Sequence, residues 1–366
     1  MRIPITLAFV ASSVSWSSRV YAATVATDVA VGVDATVSTD SASAGSASSI
    51  FGSYFLSESI VGHDFYNHFN WENISDPTHG RVVYVDEKTS VQHNLTYAKY
   101  NSFVLRTDNK AILDPDGPGR ESVRIITKKS YTTHVAVFDV RHMPQGCGTW
   151  PAIWSTTAPP DPSWPNGGEV DIVEGVNDQG PNAATLHTTT GCTMPETRPQ
   201  LGTPGQNDCD WLVNYNTGCT VKMSGPNTYG PSFNANGGGW FVTERTGDHI
   251  SVWFWQRNDP KVPFDVKYGS PITTPRTWGK PQAFFPNTNC DFKKFFAPHH
   301  IIINLTLCGD WAGQADVYAS SGCPSTCLDY VNNNPAAFSN AYFDFASVRI
   351  YQPTPFLHNR GHHSTF

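Results

Sequence analysis

Apolar and polar positions alternate with a period near two through most of the chain between residues 51 and 352. Thr133 to Arg141 sets His134, Ala136, Phe138 and Val140 against Val135, Val137, Asp139 and Arg141. His249 to Arg257 puts Ile250, Val252 and Phe254 on one face, and Ser251, Trp253, Trp255 and Arg257 on the other. His300 to Thr306 and Ala341 to Tyr351 read as further strands. Clusters of Gly, Pro, Asn and Asp separate such runs, as at Asp114 to Gly119 and Asn234 to Gly239. No long stretch keeps a helical apolar stripe. Many short alternating strands with loops of this kind predict an all-β fold, an antiparallel β-sandwich or jelly roll. No internal repeat is visible.

The pattern changes at both ends. Residues 1–22 read as a secretory signal peptide: Arg2 supplies the charge, Ile3 to Val14 the apolar run, and Val20-Tyr21-Ala22 a small-residue cleavage site. Residues 23–50 are Ala, Val, Thr, Ser, Asp and Gly without aromatics, and read as a flexible leader in which Val29, Val31 and Val33 could form a short edge strand. Residues 51–352 carry the globular composition, and 353–366 form a polar, His-containing tail.

Composition narrows the function. The 366 residues carry a formal charge of −7, which argues against a nucleic-acid partner. Charged residues make up 15% while Trp, Tyr and Phe number 11, 14 and 21. A surface poor in charge and rich in amphipathic rings suits an uncharged ring such as a sugar. No apolar run is long enough to span a membrane. Eight cysteines behind a signal peptide predict up to four disulfides, with 105 pairings open. They lack zinc-finger spacing, so no metal is expected. Sequons lie at Asn73, Asn94 and Asn304; the third falls inside an apolar strand and is expected to be unused.

The chemistry concentrates in Gly167-Gly-Glu-Val-Asp-Ile-Val-Glu-Gly175. On a strand, Glu169 and Asp171 share a face while Val170 and Ile172 point into a core. Glu174 is five positions from Glu169 and would turn inward, unless a bulge near Val173 absorbs one residue and returns it to the polar face. Three close acids repel, so one stays partly protonated. Glycoside hydrolysis uses that asymmetry: one carboxylate attacks the anomeric carbon and one carboxylic acid protonates the leaving oxygen. The spacing is compatible with the ~5–5.5 Å carboxyl separation of retaining enzymes. Exposed strand acids that are simply solvated, or a calcium site, are the alternatives; calcium takes six to eight oxygens, more than a strand offers.

The run Trp164-Pro-Asn-Gly-Gly-Glu-Val-Asp-Ile-Val-Glu-Gly-Val-Asn-Asp178 resembles the signature of glycoside hydrolase family sixteen, in its fungal endo-β-1,3(4)-glucanase, laminarinase-type branch. Gly146 to Trp154, Thr185 to Thr188, Asn304 to Gly313 and Phe343 to Tyr351 agree with it. The resemblance implies a jelly roll whose curved sheet forms an open cleft, and a retaining mechanism. It implies Glu169 as nucleophile, Asp171 as assisting acid and Glu174 as acid/base. It places Trp154 and Trp164 on the glycone side of the cleft, Trp311 as a further cleft tryptophan, His187 beside the acid/base and Arg124 against glucan. Trp150, Trp253 and Trp255 stay unassigned. The loop Ser155 to Ser163 looks longer than the family's usual version. The reading is a secreted, monomeric endo-β-glucanase acting on β-glucan polysaccharide, without cofactor, metal, nucleic acid or membrane span. A β-glucan transglycosylase and a non-catalytic glucan-binding lectin on the same fold are the rivals.

Overall fold

The alternation read from the sequence sends both faces of the central strands into apolar surroundings. In a computed structural model, which describes residues 52–158 and 163–353, the strand His134–His142 turns Ala136, Phe138 and Val140 toward one buried cluster and Val135 and Val137 toward another. The signal, the leader and the tail beyond Pro353 lie outside the described residues.

Two antiparallel sheets build the sandwich. The nine-stranded sheet has His134–His142 near its middle, between Tyr342–Gln352 and Gly239–Arg245, with His249–Gln256 beyond. The eight-stranded sheet contains, in chain order, β1 (Phe69–Trp71), β2 (Arg124–Thr127), β3 (Thr149–Thr156), β4 (Glu169–Glu174), β5 (Ala183–His187), β6 (Thr203–Pro204), β7 (Cys219–Lys222) and β8 (His300–Leu307). Its spatial order is β6-β7-β5-β4-β3-β8-β2-β1. Helices are short; among the described residues the longest α-helix, Cys327–Asn333, has seven residues. No described helix is long and apolar enough to cross a membrane.

Between the sheets lie Phe138, Phe241, Ile250, Phe345 and Ile350 from one side and Ile125, Ile153, Val170, Leu186 and Ile303 from the other. Burial of such side chains contributes about 1.5–3 kcal/mol each. A second cluster on the outer face of the nine-stranded sheet contains Trp240, Trp253, Trp255 and Trp278. Trp253 and Trp255, unassigned from the sequence, therefore belong to packing. The outward face of the eight-stranded sheet is polar along β4, β5 and β2, where Arg124, Asp171, Thr185 and His187 lie buried.

Four disulfides form: Cys147–Cys323, Cys192–Cys290, Cys209–Cys219 and Cys308–Cys327. The sequons at Asn73 and Asn94 are exposed. Asn304 is buried on β8, its Oδ1 accepting from Trp154 Nε1 at 2.7 Å and its Nδ2 donating to Tyr84 OH at 3.2 Å. No glycan fits there.

Candidate active site

β4 begins at a turn only glycine tolerates. Gly167 and Gly168 have φ of 81° and 76°, and a Cβ on Gly168 would fall 2.6 Å from the Phe296 ring. The strand then pairs Glu169 with Thr156 and His187, and Asp171 with Trp154 and Thr185. After Asp171 the register shifts on both sides. Toward β3, Ile172 has no partner, because Val173 pairs with Ile153 and Glu174 with Ala152. Toward β5, Glu174 already pairs with Ala183, so Ile172 and Val173 together stand opposite one residue. The expected bulge is present, with Ile172 rather than Val173 as the residue left out on the β3 side. Ile172 and Val173 are both buried in the core. The extra apolar residue is thus discharged inward, and Glu174 returns to the face of Glu169 and Asp171.

A bulge frees backbone groups that must bond elsewhere. Asn182, fully buried, supplies both partners: Nδ2 donates to Ile172 O at 2.9 Å and Oδ1 accepts from Glu174 N at 3.0 Å. Asn182 is held in turn by its own N–H donating to Thr228 Oγ1.

The flanking residues come from both sides of β4. Arg124, on β2, is buried; its Nε donates to Glu72 Oε2 at 2.6 Å, and its guanidinium lies 5.0 Å over the Trp154 ring. Trp154 is fixed by Asn304. Trp150 Nε1 donates to Glu174 Oε1 at 3.0 Å, and its ring meets Trp311 edge-on at 5.6 Å. Trp164 sits beside Glu169, where it favours the ionised carboxylate, and packs against Trp211 at 5.3 Å. His187 faces Asp171 and Glu169, with Nε2 3.5 Å and 3.9 Å from their oxygens. It sits opposite Glu169 in the register, and its charge interaction reaches Glu174 as well.

Burial dominates the electrostatics. It raises Asp171 well above the ordinary carboxyl range, with Glu169 and Glu174 adding like charge. It raises Glu169 to about 7, against lowering by Trp164 and the Arg124 charge. It raises Glu174, which His187 and the Trp150 hydrogen bond partly lower and Glu169 raises. Burial lowers His187, while Glu174 and the contact with Asn216 raise it. Asp171 Oδ2 is buried and makes no hydrogen bond, with His187 Nε2 3.5 Å away. Burial thus favours the protonated form of Asp171 between the two glutamates and disfavours the charged form of the His187 imidazole beside it. One oxygen each from Glu169 and Asp171 and a nitrogen of His187 lie within 4.8 Å of one another. A cation could touch this trio, yet it offers far fewer oxygens than calcium takes.

The structure brings Glu169, Asp171, Glu174, Trp154, Trp164, His187 and Arg124 to one face, with Trp311 reaching it through Trp150. Sequence reasoning missed Glu72, Asn182, Asn216 and Trp211, and left Trp150 open. Asn304 falls within the run Asn304 to Gly313, where the sequence marks it only as a sequon.

Comparison with known proteins fits this geometry. The family model described as "XgeA-like, catalytic GH16 domain" matches residues 69–351. Laminarinase 16A from Phanerochaete chrysosporium, solved with 6-O-glucosyl-laminaritriose in donor and acceptor sites, is 58% identical. The match covers 82% of this chain and 100% of that one, with a TM-score of 0.81. An elongating family 16 β-1,3-glucosyltransferase is 34% identical over 82% of this chain and 100% of its own, with a TM-score of 0.75. A probable glycosidase of Schizosaccharomyces pombe is 41% identical, covering 82% of this chain and 69% of its own length. A probable endo-1,3(4)-β-glucanase of Aspergillus clavatus is 40% identical over 82% of this chain, which spans only 46% of that relative. With its jelly-roll sandwich, its bulged acidic strand and these relatives, the chain belongs to glycoside hydrolase family 16, in the XgeA-like group.

Proposed function

We propose that this chain is a secreted, retaining endo-β-glucanase that hydrolyses β-1,3-linked glucan, mixed β-1,3/1,4 glucan included. The observation that carries the reading is the bulged strand β4, which sets Glu169, Asp171 and Glu174 on one face of an open sheet lined by tryptophans. In the first step Glu169 attacks C1 while Glu174 gives its proton to the leaving oxygen; in the second, Glu174 takes a proton from water, which displaces Glu169. Asp171 keeps its own proton and turns it toward Glu169, so the nucleophile ionises beside a donor rather than a second charge. Arg124 adds a positive charge on the same side. Burial raises the proton affinity of Glu174 and, to about 7, that of Glu169, so the acid role of Glu174 rests on its place in the motif and not on these shifts.

The sheet order gives the cleft two sides. Trp154, Asn304 and Arg124 lie on β3, β8 and β2; His187 lies on β5, across the catalytic strand. Glycone sugars run over the first set, and the leaving side over β5 and β7. Secretion is supported by the four disulfides and by the signal-like first 22 residues. The chain acts as a monomer.

A second reading draws on the 34%-identical glucosyltransferase: the same glycosyl-enzyme passed to a sugar hydroxyl instead of water. The lectin reading is disfavoured by the intact acid trio.

Digestion of laminarin and lichenan, followed by proton NMR, tests the proposal. Reducing ends should appear with the β-anomer first. Glu169→Ala should lose hydrolysis, and azide should restore turnover as an α-glycosyl azide; Glu174→Ala with azide and an activated aryl glycoside should give the β-azide. An initial α-anomer, or azide products of the opposite configuration, would overturn the assignment of the two glutamates.

A further inference from the structure

The loop closed by the Cys209–Cys219 disulfide takes no part in the chemistry above, yet it touches the site. Asp210 organises it: Oδ1 accepts from Leu212 N at 2.9 Å and Oδ2 from Thr190 Oγ1 at 2.6 Å. Trp211 N donates to Thr188 O, and the Trp211 ring packs against Trp164. Three successive residues, Asn214, Tyr215 and Asn216, have φ of 50°, 57° and 57°. Non-glycine residues adopt that conformation singly and at a cost, and such strain persists where the surroundings over-determine it. Here Asn216 Oδ1 accepts from His187 Nδ1 at 2.9 Å, which fixes the turn to the imidazole that faces Asp171. Tyr215, between them, is fully exposed at 102%. A fixed loop thus holds a large amphipathic ring in water, where it contributes nothing to packing.

The loop's place decides the ligand. It leads into β7, which pairs with β5, so it lies across β4 from Arg124 and Trp154, and its Trp211 reaches back to Trp164 just before β4. We propose that Tyr215 is an acceptor-side platform for a glucosyl ring of β-1,3-glucan, a specificity residue that favours passing the glycosyl group to sugar over water. This rests on the glucanase reading. In the transfer, an acceptor hydroxyl attacks C1 of the glycosyl-enzyme, its proton passes to Glu174, and the C1–O bond to Glu169 breaks to release the carboxylate. An aromatic face on a pyranose supplies apolar contact without competing for hydroxyls.

The experiment follows laminaripentaose products by mass at rising concentration, beside the KM for laminarin. Tyr215→Ala should lower the ratio of transfer to hydrolysis about fivefold and raise KM more than it changes kcat. Tyr215→Phe, which keeps the ring, should retain most of both. Tyr268→Ala, an exposed tyrosine far along the chain on the helix Phe264–Tyr268, serves as the control and should leave both unchanged. Melting curves should show all three variants as stable as the parent. An unchanged ratio and KM in Tyr215→Ala, or an equal loss in Tyr215→Phe, would overturn the platform. A parent protein that releases no sugar from laminarin would instead overturn the glucanase reading, and the platform with it.

Discussion

Asp171 pays a penalty that the fold would avoid if stability were the only demand. It is buried between two glutamates with one oxygen unbonded. Its folded pKa stands above its unfolded value, so its contribution to stability is fully present below about pH 4 and is lost as pH rises through the folded value. Asp171→Asn removes that titration while keeping the shape. The variant should melt at about the parent's temperature at pH 4 and several degrees higher at pH 8, with kcat down on the order of a hundredfold. A melting point at pH 8 below the parent's would mean that the acid is stabilising where it sits. The three acids were legible in the sequence because their meaning lies in local spacing. Asn182, Asn216 and Glu72 were not. Each acts on an acid or its neighbour only after a loop folds back, and an isolated Asn or Glu in a loop carries no mark of what it will meet.

At the scale of the strand, the bulge and its plug form one device. A period-two reading of E-x-D-x-x-E required one residue to leave the register, so the bulge was legible. Its location was not fixed by that argument, since Ile172 and Val173 are both apolar and both fit the core. Only the pairing with β3 and β5 distinguishes them. Asn182→Ala leaves Ile172 O and Glu174 N–H buried without partners, each worth about 1–3 kcal/mol. Unfolding by denaturant should show a loss of about 2–4 kcal/mol, and kcat should fall at least tenfold as Glu174 drifts. Asn182→Asp keeps the acceptor for Glu174 N–H but adds negative charge near that carboxyl, so the basic limb of kcat/KM should move to higher pH. A normal kcat in a destabilised Asn182→Ala would show that the chain sets the bulge without the plug.

Across the described residues the molecule is a sandwich stapled by four disulfides. The even cysteine count announced disulfides, and the alternation announced two sheets, but no pairing followed from spacing; contacts between residues as far apart as 147 and 323 exist only once both sheets close. By loop entropy, Cys147–Cys323, separated by 176 residues, contributes about 5 kcal/mol, and Cys209–Cys219, separated by 10, about 3 kcal/mol. Replacing the first pair by Ser should lower Tm by several degrees more than replacing the second. The second replacement should cost more kcat/KM, because its loop holds His187 through Asn216. Equal effects on activity would detach that loop from the site. The buried Asn304 reaches further than the folded state. If the chain enters the secretory pathway as proposed, its sequon would meet the glycosylation machinery while β8 is still unpaired. A sugar added then would stand on the cleft floor and unseat Trp154. The partners of β8, strands β2 and β3, are both synthesised before it. Completing the sheet promptly would then protect the chain during its own biosynthesis, and a variant that folds slowly would be lost to misplaced glycosylation even if its native state were as stable as the parent's.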